Sequence, residues 1–300
     1  YTLMMLVGAE LGRDASIEKY KMKGKWRILP KQFGKYNQNK VFEIEQACIE
    51  TSTMSFADYL VCRNYSFVLK LISTQTFLPI YKLAKELNIS WFDMSMKLSE
   101  LLKDKNHNSK LKEIFDAFCK ESHEELFETE QEAIDFYSKE ENYQKLIQGE
   151  VGDNLLGKYS ALALLNINDI ITTIFYIMKN KLDIKVSPEV NKILDSSEKW
   201  LKSIYMIQNV FDKDLDFKTK QQISFGFDLN SWLNGKNLQI KNYIKDCEYE
   251  FSPNVEKLKY IKKEIDHMSS STPAIALGRY LMEQSTRGYD IFEKNYTKIN

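Results

Sequence analysis

The chain has little of what builds a metal or disulfide framework. Its 300 residues include four cysteines (Cys48, Cys62, Cys119, Cys247), scattered singly with no Cys-x-x-Cys pair. The three histidines, His107, His123 and His267, do not cluster. A zinc or iron–sulfur site made from this chain alone is therefore not expected. Isolated cysteines of this kind act as small core hydrophobes and suit a reducing cytoplasm. An excess of either charge is also missing, since 42 Lys and Arg balance 42 Asp and Glu. That removes any general attraction for nucleic acid or an anionic membrane. No apolar run of spanning length is uninterrupted. The longest, 155–178, contains Lys158 and Asp169 together with Asn166 and Asn168. A charge near the centre of a spanning helix costs about 2.5–3.5 kcal/mol, so a buried helix is expected there. Arginine is scarce, with only Arg13, Arg27, Arg63, Arg279 and Arg287 among the 42 basic residues.

Core material, by contrast, is plentiful. Hydrophobic residues make up 43% of the chain, with 17 Phe and 17 Tyr, so a folded protein of roughly one to three domains is expected. Residues 1–7 (Tyr-Thr-Leu-Met-Met-Leu-Val) read as a buried strand already under way, followed by a turn at Gly8-Ala9. A lone apolar strand needs neighbours on both edges. The expectation is therefore the C-terminal part of a larger protein, with those neighbours upstream.

The hydrophobic period divides the chain. Lys25-Trp26-Arg27-Ile28-Leu29-Pro30 is a short strand candidate closed by proline. Val41 to Glu45 alternates apolar and acidic residues, as a half-buried strand does. From Ser55 the period becomes helical. Ser55, Ser90, Asn108 or Ser109, Thr129 with Glu132, Asp153, and Ser187 before Pro188 all read as helix starts. Residues 246–251 alternate and suit a strand, and a last helix is expected over 274–293. The fold class is accordingly mainly α, with a short α/β N-terminal segment. Three units are expected: 1–55, a helical domain over 56–240, and a C-terminal helical region over 241–300.

A set of ordered landmarks carries a resemblance. Leu6-Val7-Gly8-Ala9-Glu10-Leu11 is followed by Tyr20-Lys21-Met22-Lys23, then by Lys25 to Pro30 with Phe33-Gly34, then by Phe42 to Glu45. Thr51 to Phe56, with Asp58-Tyr59-Leu60 and Arg63, comes next. Phe227-Asp228-Leu229 with Trp232-Leu233, and Ala276-Leu277-Gly278, follow near the other end. This order resembles the C-terminal part of cobalamin-dependent radical SAM proteins. The resemblance implies that residues 1–55 complete a partial radical-SAM barrel and that the helices cover a substrate site. It implies S-adenosylmethionine (SAM), an iron–sulfur cluster and cobalamin for the full-length protein, with their ligands upstream and none bound by this chain alone. Partners would be the upstream cobalamin-binding and radical-SAM domains and a small-molecule substrate. The chain departs from the family pattern at the strand-end turn, where Val7 and Ala9 replace the usual Pro and Thr.

Candidate residues follow from both readings. Val7, Gly8 and Ala9 are the expected SAM-binding turn, small residues that let a backbone approach a nucleotide; the plainer alternative is an ordinary strand-to-helix turn. Arg27, Glu43 and Glu45 are the expected substrate-binding residues. A lone arginine in a lysine-rich chain suits a bidentate clamp on a carboxylate or phosphate. The alternative for Arg27 is a structural ion pair with Glu43 or Glu45, which share one strand face. Thr51, Ser52 and Thr53 either bind phosphate or simply lead into the helix at Ser55. No catalytic residue and no metal ligand is assigned. The rival overall reading is a non-catalytic helical module that binds another protein.

Overall fold

The switch of period at residue 55 is where the sheet ends and the helices begin. The computed structural model describes residues 3–6, 8–182, 186–211, 219–235, 239–267, 276–277, 280 and 293–300. After a short helix α1 (Asp14–Tyr20) come β1 (Lys23–Tyr36) and β2 (Asn39–Glu50), one long antiparallel hairpin. Its two-residue turn, Asn37-Gln38, has φ of 46° and 68°. Two successive left-handed residues match the right-handed twist of the flanking strands.

Pro30 does not end the first strand, as its chemistry had suggested. It sits in a bulge between Ile28 and Phe33, where the register with β2 slips. Lys31 there has φ 65°. A bulge is the one place inside a strand where a missing N–H does no harm to the ladder.

The opening segment is corrected more strongly. Residues 3–6 form a single bridge, Met4 to Ala47, rather than a buried strand. Met5 N donates to Gln46 O at 2.9 Å, and Cys48 N to Leu3 O at 2.8 Å. The segment lies antiparallel on the far edge of β2, so β2 separates it from residues 25–30. The neighbours of this sheet are all antiparallel among the described residues. The outer edge of β1 is covered by Phe127, which exchanges two backbone bonds of 2.8 Å with Trp26.

The helices are α2 (Phe56–Ile72), α3 (Leu78–Glu86), α4 (Trp91–Lys103), α5 (Lys110–Glu124), α6 (Glu130–Ser138), α7 (Glu140–Gln148), α8 (Leu155–Leu164), α9 (Ile167–Asn180) and α10 (Pro188–Ile204). Ser55 with Asp58, and Thr129 with Glu132, form reciprocal capping boxes. Ser90, Ser109 and Ser187 each accept from an amide of the first turn. α9 is the heart of the core. Ile170, Ile171, Ile174, Phe175, Ile177 and Met178 have no exposed surface.

Two long helices expected from periodicity are each two. The helix that starts at Thr129 breaks at Lys139, whose ψ of 134° is extended, and a second begins at Glu140. The apolar stretch opens at Asn154, whose side chain accepts from Gly157 N, and not at Asp153. It then bends by 85° between α8 and α9. Among the described residues no single helix is long and apolar enough to cross a membrane.

The remainder folds around Trp200 of α10. β3 (Gln221–Phe225), α11 (Leu229–Asn234), β4 (Cys247–Ser252), α12 (Val255–His267) and β5 (Asn295–Lys298) follow in order. β3, β4 and β5 form a three-stranded antiparallel sheet. Trp200 meets Phe225, Tyr249, Phe251 and Tyr296 edge-on, at centroid distances of 5.4, 4.6, 5.2 and 5.2 Å. The expected strand over 246–251 is β4, whereas β3 and β5 had no clear alternation to announce them. Most of the expected final helix, 274–293, lies outside the described residues.

One glycine ties the hairpin to the helices. Gly152 has φ 66°, and a Cβ there would stand 2.6 Å from Leu146 Cδ1 and 2.7 Å from Ile28 Cγ2. Gly152→Ala combines a left-handed backbone with overpacking, so it should cost about 1–3 kcal/mol. Urea unfolding of the variant checks this; an unchanged midpoint would show that the loop relaxes freely.

Candidate functional site

The candidate site grows from one face of α2. Residues four apart on a helix lie one above the other. Tyr59 and Arg63 therefore project together from the N-terminal half of α2, where that helix packs on the end of β2 and on α5 and α8. Between these elements and the segment 3–6 lies a cleft of about 360 Å³. Leu3, Met54 and Leu156 supply apolar walls. Thr51, Tyr59, Arg63 and Ser66 supply polar groups, and among the described residues Arg63 is the one charged residue lining it. The thiols of Cys48 and Cys62 complete the lining. Cys48 is buried, which pushes its thiol up from the ordinary range despite its contact with Glu50 O.

Behind the cleft is a buried ion-pair network. Arg63 Nη2 donates to Glu125 Oε1. Arg27 Nη1 stands 3.5 Å from the same oxygen. Arg27 Nε donates to Glu45 Oε1 at 2.7 Å. The side chains of Arg27, Glu45, Arg63 and Glu125 are 17, 13, 11 and 9% exposed. Burial works against the Arg27 charge, but Glu125 and Glu45 outweigh it and hold the guanidinium above its ordinary value. Burial pushes the Glu125 carboxyl up, with Arg63 and Arg27 drawing it back.

A second polar group lies next to this one. Glu121 Oε2 accepts from Lys158 Nζ and from Tyr159 Oη, both at 2.6 Å. Burial and the neighbouring carboxylates Glu125 and Glu121 raise Tyr137.

Two donors at the cleft stand out. Tyr59 is 7% exposed, and its hydroxyl has no hydrogen-bond partner among the described residues. Arg63 Nε is equally buried and equally without a partner among them. Leaving a buried polar group unpaired costs about 1–3 kcal/mol. Two such groups at the wall of one cleft are a reason to ask what ligand completes them.

The sequence-predicted residues are brought together only in part. Arg27 and Glu45 meet, and each satisfies the other. Arg27 is thus engaged in the ion pair with Glu45 and with Glu125. Glu43 is exposed, because the slipped register at the bulge sends it and Glu45 into different surroundings. Gly8 and Ala9 lie on an exposed turn. Gly8 has φ 87°, and a Cβ built there would meet nothing within 4 Å. Val7 lies outside the described residues. Thr51 and Thr53 bond each other in the turn before Ser55, which is the plain helix entry. Among the described residues no three His, Cys, Asp or Glu side chains gather to hold a metal ion.

No family model matches the chain, and no curated protein matches it significantly.

Sequence reasoning named Tyr59 and Arg63 among the ordered landmarks, and Arg63 also among the rare arginines, but gave neither a role in a site. The available signal was their spacing of four on a helix that follows directly from a strand. What it could not show is that Glu125, far along the chain, arrives beneath them.

Proposed function

We propose that this chain is the C-terminal portion of a cytoplasmic, cobalamin-dependent radical SAM enzyme, and that its cleft beside Tyr59 and Arg63 forms one wall of the substrate site. The reading rests on the ordered landmarks of the sequence. One structural observation supports it: a polar cleft at the junction between the segment before residue 55 and the helices. A covering domain needs its cavity at that junction, next to the part of the protein that performs the chemistry. A module for protein interaction needs instead a broad exposed apolar face. Among the described residues the exposed aromatic side chains Tyr20, Tyr36, Tyr81, Phe92, Tyr176 and Tyr260 stand on six separate elements, and Phe211 follows α10.

In this reading the radical chemistry belongs to cofactors held upstream, and this chain binds and orients the substrate and excludes water from it. The partners are then the upstream cobalamin-binding and radical-SAM domains. The test is direct. The longer protein should carry a CxxxCxxC loop and, after anaerobic reconstitution, hold a four-iron cluster and cleave SAM. The 300-residue chain should do neither. A longer protein without the cluster, or a stoichiometric cluster in this chain alone, overturns the proposal.

A further inference from the structure

We infer that the cleft between the 3–6 segment, α2 and α8 takes a small organic monoanion: a carboxylate carried on an apolar body. The inference deepens the reading of the cleft as a substrate wall and rests on it.

Four observations carry it. The volume, about 360 Å³, suits a small metabolite and excludes a macromolecular segment. Leu3, Met54 and Leu156 offer an apolar lining that rewards a hydrocarbon or aryl body. Among the described residues the one charged lining residue is cationic. Arg63 has only a share of a counter-ion, because the Glu125 oxygen it binds also faces Arg27. Lastly, two buried donors on lining residues, Arg63 Nε–H and Tyr59 O–H, have no partner among the described residues; they match in number the two oxygens of a carboxylate. A phosphate dianion asks for more donors and more positive charge than this wall supplies. An ammonium group would find no acceptor of opposite charge among the described residues lining the cleft.

Binding to the 300-residue chain, measured by calorimetry with octanoate, octanol, octylammonium and inorganic phosphate, tests this without any cofactor. Octanoate is expected to bind at least about tenfold more tightly than octanol, with octylammonium and phosphate weaker still. Arg63→Lys should lower octanoate affinity about tenfold, since lysine lacks the Nε–H and the fork, and leave octanol unchanged. Tyr59→Phe should weaken octanoate by several-fold and likewise spare octanol. If Arg63→Lys does not fold, the octanoate-to-octanol ratio and Tyr59→Phe still decide. Equal affinity for octanoate and octanol, or for phosphate and octanoate, overturns the inference. So does an Arg63→Lys protein that folds and retains its preference. The two readings fail separately. A longer protein that cleaves SAM while the chain shows no carboxylate preference sinks only the ligand class. A carboxylate preference in a longer protein that holds no cluster sinks only the radical SAM reading.

Discussion

Glu125→Ala is expected to lower the unfolding free energy by about 3–5 kcal/mol. The side chain is 9% exposed, and its Oε1 is shared by two guanidinium groups. Deleting it leaves Arg63 without its carboxylate and Arg27 with Glu45 alone, so a buried positive charge becomes uncompensated. The loss comes from that stranded charge more than from the pair's own worth. Glu125→Gln keeps the shape but not the charge and should cost nearly as much.

The pH dependence has a definite sign. Burial raises the Glu125 carboxyl above its model-peptide value of 4.5. A raised carboxyl binds its proton more tightly in the folded state, so its contribution falls as pH rises through that window. The Gln variant should lack this component. Arg27→Lys retains the charge and loses the planar fork, so a smaller loss of about 1–2 kcal/mol is expected. It should leave the octanoate-to-octanol preference intact, because Arg27 is a support behind the cleft. Urea titrations of the three variants between pH 4 and 8 check the set. A stable Glu125→Ala protein would mean that water reaches the two arginines.

The second large effect is expected in the C-terminal sheet. Asp228 sits before α11 with a side chain that has no exposed surface. It accepts from Lys298 Nζ at 2.6 Å, Tyr249 Oη at 2.7 Å and Ser231 N at 3.1 Å. One carboxylate thus caps a helix, anchors β5 and orients the tyrosine that packs on Trp200. Asp228→Ala should cost about 3–5 kcal/mol, since it leaves a half-buried lysine and a buried hydroxyl unpaired.

Burial alone would push the Asp228 carboxyl up, but its bonds to Lys298, Tyr249 and Ser231 prevail and hold it below the ordinary 3.8. A depressed carboxyl stabilises the fold above its unfolded pKa, and that stability is lost as pH falls through the folded value. The wild-type chain should therefore weaken on acidification below about 4, with Asp228→Asn showing a flatter acid limb. Fluorescence of Trp200, 4.6 Å from the Tyr249 ring, reports the transition. An Asp228→Asn protein with an unchanged acid limb would show that other carboxylates govern acid unfolding. Tyr249, pushed up to about 12 with burial as the largest cause, stays protonated throughout.

Local features were legible in the chain because their causes are local. Ser55, Thr129 and Ser187 start helices because a hydroxyl reaches an amide two or three residues on. The alternation at 41–45 and 247–251 shows as strand because one face of each is wetter than the other. The candidate site was legible only in fragments. Arg27 was marked by its rarity and Glu45 by its spacing, and their pairing was one of two alternatives left open. The role of Arg63 and Tyr59 was not visible, because it depends on α5, α8 and the 3–6 segment converging from distant parts of the chain.

By itself, then, the sequence determined a mainly helical protein with strands in its first 55 residues and near 246–251, most of its helix starts, and a core built on the apolar stretch over 155–178. Periodicity and capping act over a few residues, so they are written in a few residues. Only the tertiary structure decided that the apolar stretch bends by 85°, that Pro30 rests in a bulge, and that Glu43 and Glu45 part company. It alone placed Glu125 between two arginines and left two buried donors on cleft-lining residues without partners among the described residues. Those outcomes are set by what packs against each element, and burial, which gives the paired charges and the unpaired donors their energetic weight, exists only once the chain has closed around them.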